Sequence, residues 1–592
     1  MVAHATVRRL HWPAVMLLVA AFLSADGLRV AGSGQGQAGD HETFPLAAPK
    51  RYVTDVATSE DMQSVVLKSL KSTFIAGIRS YDWERTARAL SADFRGRFPR
   101  LGDGHAIDDD LLRIRQYEPE ALDVVDREGL VATLRAHVAA WTSIERASLN
   151  AFEFLLEPNR DRAFAKIHFE LGGPNPGGGR SVVNATIAVG VVRVSGGEWQ
   201  IRRLDIVEAM RVDNPRPPMF RDITDAAGLH VDRSEADRQS RQEILDNRAS
   251  LIDAAVSIID WNHDGFWDIL LTEGLNYSVL FLNDGKGGFV RGKLPVEDRR
   301  QSPSQFLFVD LDGDGLEELV SNRVSYLGNR AWMGIYTRRE GKWVFLPHAL
   351  EFENPPGLIR SDAQSLTAGD VNGDGLIDLF VAGYDNNRSG DPARFNLVDG
   401  HDGDKNLLFM NHGGLRFTEE SVARGITGTH YTYVAQLFDF DGDGDLDIFE
   451  GHDYSPNVIW ENKGDGTFRA LKDHPFARDV KFTMGLTIGD WNNTGKWSVY
   501  VSNMYSHAGN RVVRLADSVS EKTRALLKKA AQGNQLFTMK SGVWEDEALS
   551  LGVNDAGWAW GSAFVDIDND GDKEIFVANG NTSHRDPEAP DF

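Results

Sequence analysis

The sequence predicts a multidomain chain. An N-terminal α+β cone-like domain comes first, followed by an all-β propeller of about six to seven four-stranded blades, the last one incomplete. Two observations carry this. Residues 51–212 place helically spaced apolar residues ahead of alternating strand patterns. From Phe220 onward, a hydrophobic strand, an aspartate-rich nine-residue loop and a second hydrophobic strand recur six times. The loops start at Asp260, Asp310, Asp370, Asp439, Asp490 and Asp566.

The chain has 592 residues, too many for one compact core. Its net charge of −24 argues against nucleic acid, whose phosphates need a basic stripe. There is no cysteine, hence no disulfide, thiolate metal site or cysteine nucleophile. Arg8 and Arg9 precede an apolar run from Pro13 to Leu23, with Ser24 and Ala25 after it. Residues 1–31 therefore read as a signal peptide, with a run too short to span a bilayer comfortably. The expected location is secreted or periplasmic, or associated with the cell surface, with no stable transmembrane segment once the signal is cleaved. Residues 32–50, rich in Gly, Gln and Ala, read as a linker.

Within residues 51–212, Met62, Val66, Leu67, Leu70 and Phe74 have helical spacing, which predicts a helix over 62–77. Further helices are expected over 83–90 and 130–144. Strands are expected over 148–156, 162–171, 181–194 and 199–207, joined by turns such as Pro174-Asn175-Pro176-Gly177. This element order, with the Gly77…Asp82…Leu90…Asp93-Phe94 pattern, resembles nuclear transport factor 2-like (SnoaL-like) domains. Residues 213–219 include Pro215, Pro217 and Pro218 and mark a stiff boundary.

Residues 220–592 form the repetitive part. Five loops fit Asp-x-(Asp/Asn)-x-(Asp/Asn)-Gly-x-x-(Asp/Glu). Their candidate metal ligands are Asp260, Asn262, Asp264 and Asp268; Asp310, Asp312, Asp314 and Glu318; Asp370, Asn372, Asp374 and Asp378; Asp439, Asp441, Asp443 and Asp447; Asp566, Asp568, Asp570 and Glu574. Calcium is a hard cation that takes about six to eight oxygens at flexible geometry. Side chains at positions 1, 3, 5 and 9, with a carbonyl at 7, can wrap one ion. An EF-hand would need flanking helices and a glutamate at position 12. Here the flanks are strand sequences, and position 12 is Leu271, Ser321, Val381, Glu450 and Val577. The alternative is an acidic turn that binds nothing. The fifth loop, with Asp490, Asn492, Thr494, Gly495 and Ser498, keeps one carboxylate, so its turn is expected to survive without calcium.

Other pieces repeat as well. Leu280-Phe-Leu-Asn283-Asp-Gly285 matches Leu408-Phe-Met-Asn411-His-Gly413 and Ile459-Trp-Glu-Asn462-Lys-Gly464. Phe220–Gly228 echoes Phe417–Gly425, and Phe220–Thr224 could close the ring as an outer strand. These residues resemble FG-GAP/VCBS repeats of the integrin-α-type propeller. Ser502-Asn-Met-Tyr505…Gly509-Asn510 and Trp558–Asp566 resemble the bacterial branch of the cartilage acidic protein (ASPIC/UnbV) family. The resemblance implies calcium-stabilised blades and an interaction role outside the cytoplasm, and it brings no catalytic residues. Glu521–Gln532 reads as a helical insertion in the fifth unit. The chain ends soon after the sixth unit's second strand, so either the ring is incomplete or more sequence follows.

Since the loops join the first two strands of each blade, residues after the second strands share the opposite rim. The ligand-face candidates there are Tyr277, Arg323, Tyr384, His452, Asp453, Tyr454, Asn503, Tyr505, Trp558 and Trp560. Aromatics beside amides and hydroxyls suit sugars or peptide surfaces. Equally, they can pack between blades while the amides cap turns. No catalytic serine elbow, His-Glu-x-x-His or Walker loop is present. The sequence thus points to a non-enzymatic module that recognises a protein or glycan, with about five calcium ions. The alternative is a calcium-dependent polysaccharide lyase or hydrolase using His452, Asp453 and Arg323. A purely structural scaffold is the third reading.

Overall fold

The computed structural model describes residues 44–53, 55–108, 112–194, 196–217, 220–231, 235, 238–239, 255–273, 277–295, 305–354, 363–384, 400–503, 521–530, 532–557 and 559–579. The signal-peptide segment and most of the linker lie outside the described residues. Chain contacts divide the molecule between Asp222 and Ile223 into an N-terminal unit and a repeat unit.

In the N-terminal unit, α1 (Val56–Leu70) starts where the Asp55 carboxylate accepts the Thr58 N–H at 2.9 Å. A π turn (Lys71–Ile75) carries it on into Ala76–Arg79. Asp82 caps α2 (Trp83–Arg88), and Asp126 caps α3 (Arg127–Val138). These caps satisfy amides that have no partner inside the helix. α3 stops short of the expected Ile144 because the Thr142 N–H is taken by the Pro174 carbonyl at 2.9 Å.

One eight-stranded sheet faces the helices: β1 (Leu90–Arg97), β2 (His105–Asp108), β3 (Arg113–Tyr117), β4 (Val124–Val125), β5 (Arg146–Leu156), β6 (Arg162–Pro174), β7 (Arg180–Arg193) and β8 (Trp199–Asn214). Its order is β2-β3-β8-β7-β6-β5, with β1 parallel to β8. A single apolar core gathers Leu67, Leu70, Phe74, Phe94, Phe154, Phe169 and Trp199. β1 escapes a reading based on periodicity because it carries charge inward. Arg97 makes a bidentate pair with Asp205 at 2.7 and 3.1 Å, and Asp205 also accepts the Leu46 N–H. Both residues are buried.

The repeat unit is a succession of antiparallel sheets. The first runs β9 (Ala255–Ile259), β10 (Asp268–Glu273), β11 (Tyr277–Asn283) and β12 (Phe289–Arg291). The second is built on β13 (Phe306–Val309), β14 (Glu318–Ser321), β16 (Arg330–Arg339) and β17 (Lys342–Glu353), with the short β15 (Ser325–Leu327) on β16. The third is β18 (Ser365–Gly369), β19 (Asp378–Ala382), β20 (Leu407–Asn411) and β21 (Phe417–Glu419). The fourth is β22 (Tyr431–Phe438), β23 (Asp447–Pro456), β24 (Val458–Asn462) and β25 (Phe468–Ala470). The fifth is β26 (Val480–Gly489), β27 (Ser498–Asn503), β28 (Gln535–Lys540) and β29 (Val543–Asp546). Helix α4 (Glu521–Ala530) forms where the insertion is expected. The last sheet contains β30 (Ala559–Val565) and β31 (Glu574–Asn579) among the described residues.

Each neighbouring pair of sheets shares its own apolar seam. On β19, Leu379 and Val381 pack toward the second sheet, whereas Phe380 and Ala382 pack toward the fourth. Side chains alternate across a strand, so a strand buried on both faces reads as one apolar run. Further seams join sheets one and two around Trp261 and Leu319, four and five around Phe449 and Val501, and five and six around Tyr500 and Phe564. This stacking makes the unit propeller-like and all-β.

The echo is a turn shared by residues 224–228 and 421–425, and the closing strand expected over Phe220–Thr224 does not form. The Ala227 carbonyl accepts the Phe289 N–H at 2.8 Å, and the Arg424 carbonyl accepts the Phe468 N–H at 2.8 Å. Gly228 and Gly425 follow at φ +76° and +91°. A Cβ on either would lie 2.6 or 2.4 Å from that phenylalanine's carbonyl oxygen. Positive φ and close approach both select glycine here.

Candidate metal centres and the far ends of the sheets

All six aspartate loops connect the first two strands of their sheets as hairpins. Their turn is built the same way each time. The first aspartate accepts two or more backbone N–H groups ahead of it. Asp260 takes Asp264 and Gly265; Asp310 takes Gly313, Asp314 and Gly315. The carboxylate at position 5 accepts the N–H two residues on, as Asp314 does from Leu316 and Asp443 from Asp445. The fifth loop keeps this turn: Asp490 accepts from Thr494 at 3.0 Å and Gly495 at 2.7 Å.

The acid at position 9 is different. Asp268, Glu318, Asp378 and Asp447 are buried. One oxygen of each accepts the N–H of loop position 2: Trp261 (2.9 Å), Leu311 (2.9 Å), Val371 (3.1 Å) and Phe440 (3.2 Å). The other oxygen reaches the third main strand. Asp268 accepts from Asn283 N, Asp378 from Asn411 N, Asp447 from Asn462 N, and Glu318 from Thr337 Oγ1. A carboxylate offers about four lone-pair sites, so these bonds leave room for a cation on the same group.

Carboxylate oxygens converge within 4.8 Å in three loops: Asp310, Asp312 and Glu318; Asp439, Asp441 and Asp447; Asp566, Asp568 and Glu574. The first and third loops have Asn262 and Asn372 at position 3, so an amide oxygen stands in the place of one carboxylate. Burial, with Asp374 and Asp370 nearby, pushes Asp378 up to about 6. Burial, with Asp441 and Asp443 nearby, pushes Asp447 up to about 7. Glu318 is raised by burial and by Asp312 and Asp314. An all-oxygen donor set under mutual repulsion suits a hard divalent cation, which would offset that repulsion.

At the far ends of the strands, Tyr384, Asp453 and Tyr454 come together with Tyr431 and Tyr433. The Tyr384 hydroxyl donates to Asp453 Oδ2 at 2.8 Å, while Asp453 Oδ1 is buried without a hydrogen-bond partner. Burial pushes Asp453 up to about 7 against the hydrogen bonds from Tyr384 and Tyr454. Tyr454 has a left-handed backbone, φ +66°, at an irregularity in β23. The rings meet edge to face: Tyr384 with Tyr431 (5.4 Å) and Tyr433 (5.7 Å), and Tyr454 with Tyr431 (5.6 Å) and Phe482 (5.7 Å). Trp560 lies 6.0 Å from Tyr433.

Three expected rim residues are sealed instead. His452 is 0% exposed, Asp453 2% and Asn503 0%. β23 does not end at the rim. It runs on to Pro456 and pairs with β26 at Asp453↔Phe482 and Pro456↔Val480, which covers them. His452 is spent internally, with Nε2 3.0 Å from Glu450 Oε2 and Nδ1 2.7 Å from the Pro456 carbonyl. Asn503 accepts from Thr483 Oγ1 at 3.0 Å. Arg323 is partly exposed and donates its backbone N–H to Ser321 Oγ, with no bond to the tyrosine group among the described contacts. The Tyr277 side chain, Tyr505 and Trp558 lie outside the described residues. Several partners went unread in the sequence. Glu450 and Phe482 sit inside ordinary strand patterns, Asn406, which donates to Glu450 Oε1 at 2.7 Å, stands just ahead of one, and Thr337 belongs to a unit that lacks the repeated asparagine.

Comparison with known proteins places this geometry. The FG-GAP-like repeat family model matches residues 260–321, 370–450 and 439–501. Cartilage acidic protein 1 of Xenopus tropicalis is 24% identical over 284 residues, covering 44% of this chain and 41% of that protein. The Homo sapiens protein of that name is 25% identical over 285 residues, covering 44% and 40%. The match thus spans about two fifths of the length of these relatives. Among solved structures, a conserved protein from Planctomyces limnophilus aligns with 25% of this chain and 98% of its own, at 14% identity and a TM-score of 0.19. Loop geometry, sheet register and repeat matches agree: residues 260–321, 370–450 and 439–501 are similar to FG-GAP-like repeats.

Proposed function

We propose that the repeat unit is a calcium-stabilised recognition module that works outside the cytoplasm and binds a protein or a glycan. The observation that carries the recognition role is Asp453: a buried carboxylate with one unpartnered oxygen, ringed by tyrosines, on a strained Tyr454 backbone. Perturbed acids and strained backbone concentrate at functional sites. The loops at the other end suit a structural role, since their position-9 acids are already bonded into the scaffold. About five ions fit, one per complete loop, with the Asp490 loop left out. Export is supported by the Arg8-Arg9 and apolar N-terminal run. Among the described residues no helix is long and apolar enough to cross a membrane.

Glycan and peptide arrays probed with the calcium-loaded protein test this reading. A ligand bound by the wild type and lost in Asp453→Asn, with the fold kept and the melting temperature not lowered, supports it. Equal binding by both moves the recognition surface elsewhere. The calcium part stands separately: EDTA should lower the melting temperature, because an ion that binds only the native state stabilises it by about 2.7 kcal/mol at a hundredfold excess over Kd. Elemental analysis without calcium, and an unmoved melting curve, would remove it.

A calcium-dependent lyase or hydrolase is the second reading. A carboxyl poised near neutrality beside tyrosine hydroxyls is the kind of group that moves protons. Depolymerisation of a bound glycan, abolished by EDTA and by Asp453→Asn, would select it over simple binding.

A further inference from the structure

The strand register singles out one position on the third main strand of each sheet. Two residues beyond the partner of loop position 10 stand Asn283, Arg338, Asn411, Asn462 and Met539 in the first five sheets. Where this residue has a donor and a preceding loop exists, it reaches back to that loop. Arg338 donates to the Trp261 carbonyl at 2.5 Å, Asn411 to the Leu311 carbonyl at 2.9 Å, and Asn462 to the Val371 carbonyl at 2.8 Å. The acceptor is position 2 of the preceding loop each time.

That same position-2 residue gives its N–H to the position-9 acid of its own loop. The asparagine gives its own N–H to the position-9 acid of the next loop. The links therefore form one run: Glu318, Leu311, Asn411, Asp378, Val371, Asn462, Asp447, Phe440. Arg338, next to the Thr337 that bonds Glu318, extends the run to the first loop. Met539 has no donor, and the fifth loop has Ser498 at position 9, so the run stops there.

We propose that calcium fills the first four loops cooperatively, with Arg338, Asn411 and Asn462 as the coupling residues and Met539 as the break. This rests on the calcium reading above. An ion on a position-9 carboxylate fixes that group and the position-2 peptide bonded to it. The fixed carbonyl orients the next asparagine, whose N–H places the next position-9 carboxylate. Order laid down for one ion need not be laid down again for its neighbour, which is positive coupling between sites. Coupling of this kind changes affinity by about 5- to 150-fold.

Calcium titration of the full chain, followed by bound-metal analysis and tryptophan fluorescence, tests it. The wild type should fill with a Hill coefficient above one. Asn411→Ala and Asn462→Ala should bring the coefficient toward one at unchanged stoichiometry. Asn283→Ala is the control. It loses the same local bonds, to the Trp267 carbonyl and from the Gly285 N–H, but among the described residues it makes no bond to another loop. It should therefore keep the wild-type coefficient. Calcium bound at a coefficient of one in the wild type overturns the coupling and leaves the calcium reading standing. No bound calcium overturns both. Equal loss of slope in all three variants overturns the coupling too, since a merely structural role predicts it. If Asn411→Ala or Asn462→Ala fails to fold, the wild-type slope and the Asn283→Ala slope still decide.

Discussion

The two units of this chain hold themselves together differently. The N-terminal unit has one apolar core behind one sheet, with the buried Arg97–Asp205 ion pair set into it. Among its described residues the repeat unit has no such centre. Its apolar residues are divided among separate seams, one per pair of neighbouring sheets, and buried acids knot the loop ends and the far ends. In the first unit, charge is an inclusion in a hydrophobic fold. In the second, charge and backbone supply what a divided core cannot, so the same loops that could hold ions also hold the strands.

The largest test of that difference is Asp205→Ala, which strands the Arg97 guanidinium inside the core. It should cost about 3–5 kcal/mol, read as loss of the N-terminal transition in denaturant while the repeat transition stays put. Asp453 should act in the opposite direction. Burial raises its pKa to about 7, well above the value in an unfolded chain. The folded state then holds the proton that the unfolded state has lost, so stability falls as pH rises from about 4 to 7, by about 4 kcal/mol in all. Asp453→Asn should remove that slope and raise the melting temperature of the repeat unit at pH 8 in EDTA; an unchanged pH profile would show that the carboxyl ionises freely in the fold.

Asp447→Ala, also in EDTA, leaves the Phe440 and Asn462 N–H groups unpaired. A cost of about 2–4 kcal/mol is expected from two buried donors, and a smaller one would mean that solvent enters the loop. The least effect belongs to Asp490→Ala. Its bonds from Thr494 and Gly495 are exposed, so a smaller loss of stability than for Asp447→Ala is expected, with bound calcium per chain unchanged. A drop in bound metal would return that loop to the set of ion sites.

Much of the fold was legible because its pattern was local. The hairpin loops announce themselves through Asp, Asn and Gly at fixed spacing, and the strands of the third sheet through unbroken apolar runs. The capped helices of the N-terminal unit followed the same logic. Legibility failed where a partner was distant in sequence. β1 hides behind Arg97, whose mate Asp205 comes 108 residues later. At the candidate ligand end, Tyr384, Asp453 and Tyr454 were nameable from their place after second strands. That β23 would run past the rim and bury His452 was not, because the covering strand β26 belongs to the next sheet. Arg338 does for the second sheet what asparagine does for the third and fourth, and no residue-type pattern could equate the two.

The turn ending at Gly228 has a practical side. Its Ala227 carbonyl occupies the N–H of Phe289 on β12, the outermost strand of the first sheet. A fragment trimmed to begin at the first aspartate loop would look complete by its repeats, yet it would leave that edge unguarded. Open strand edges invite pairing with other chains. The natural place to cut this protein is therefore ahead of Phe220, and a fragment cut later is expected to self-associate even with every loop intact.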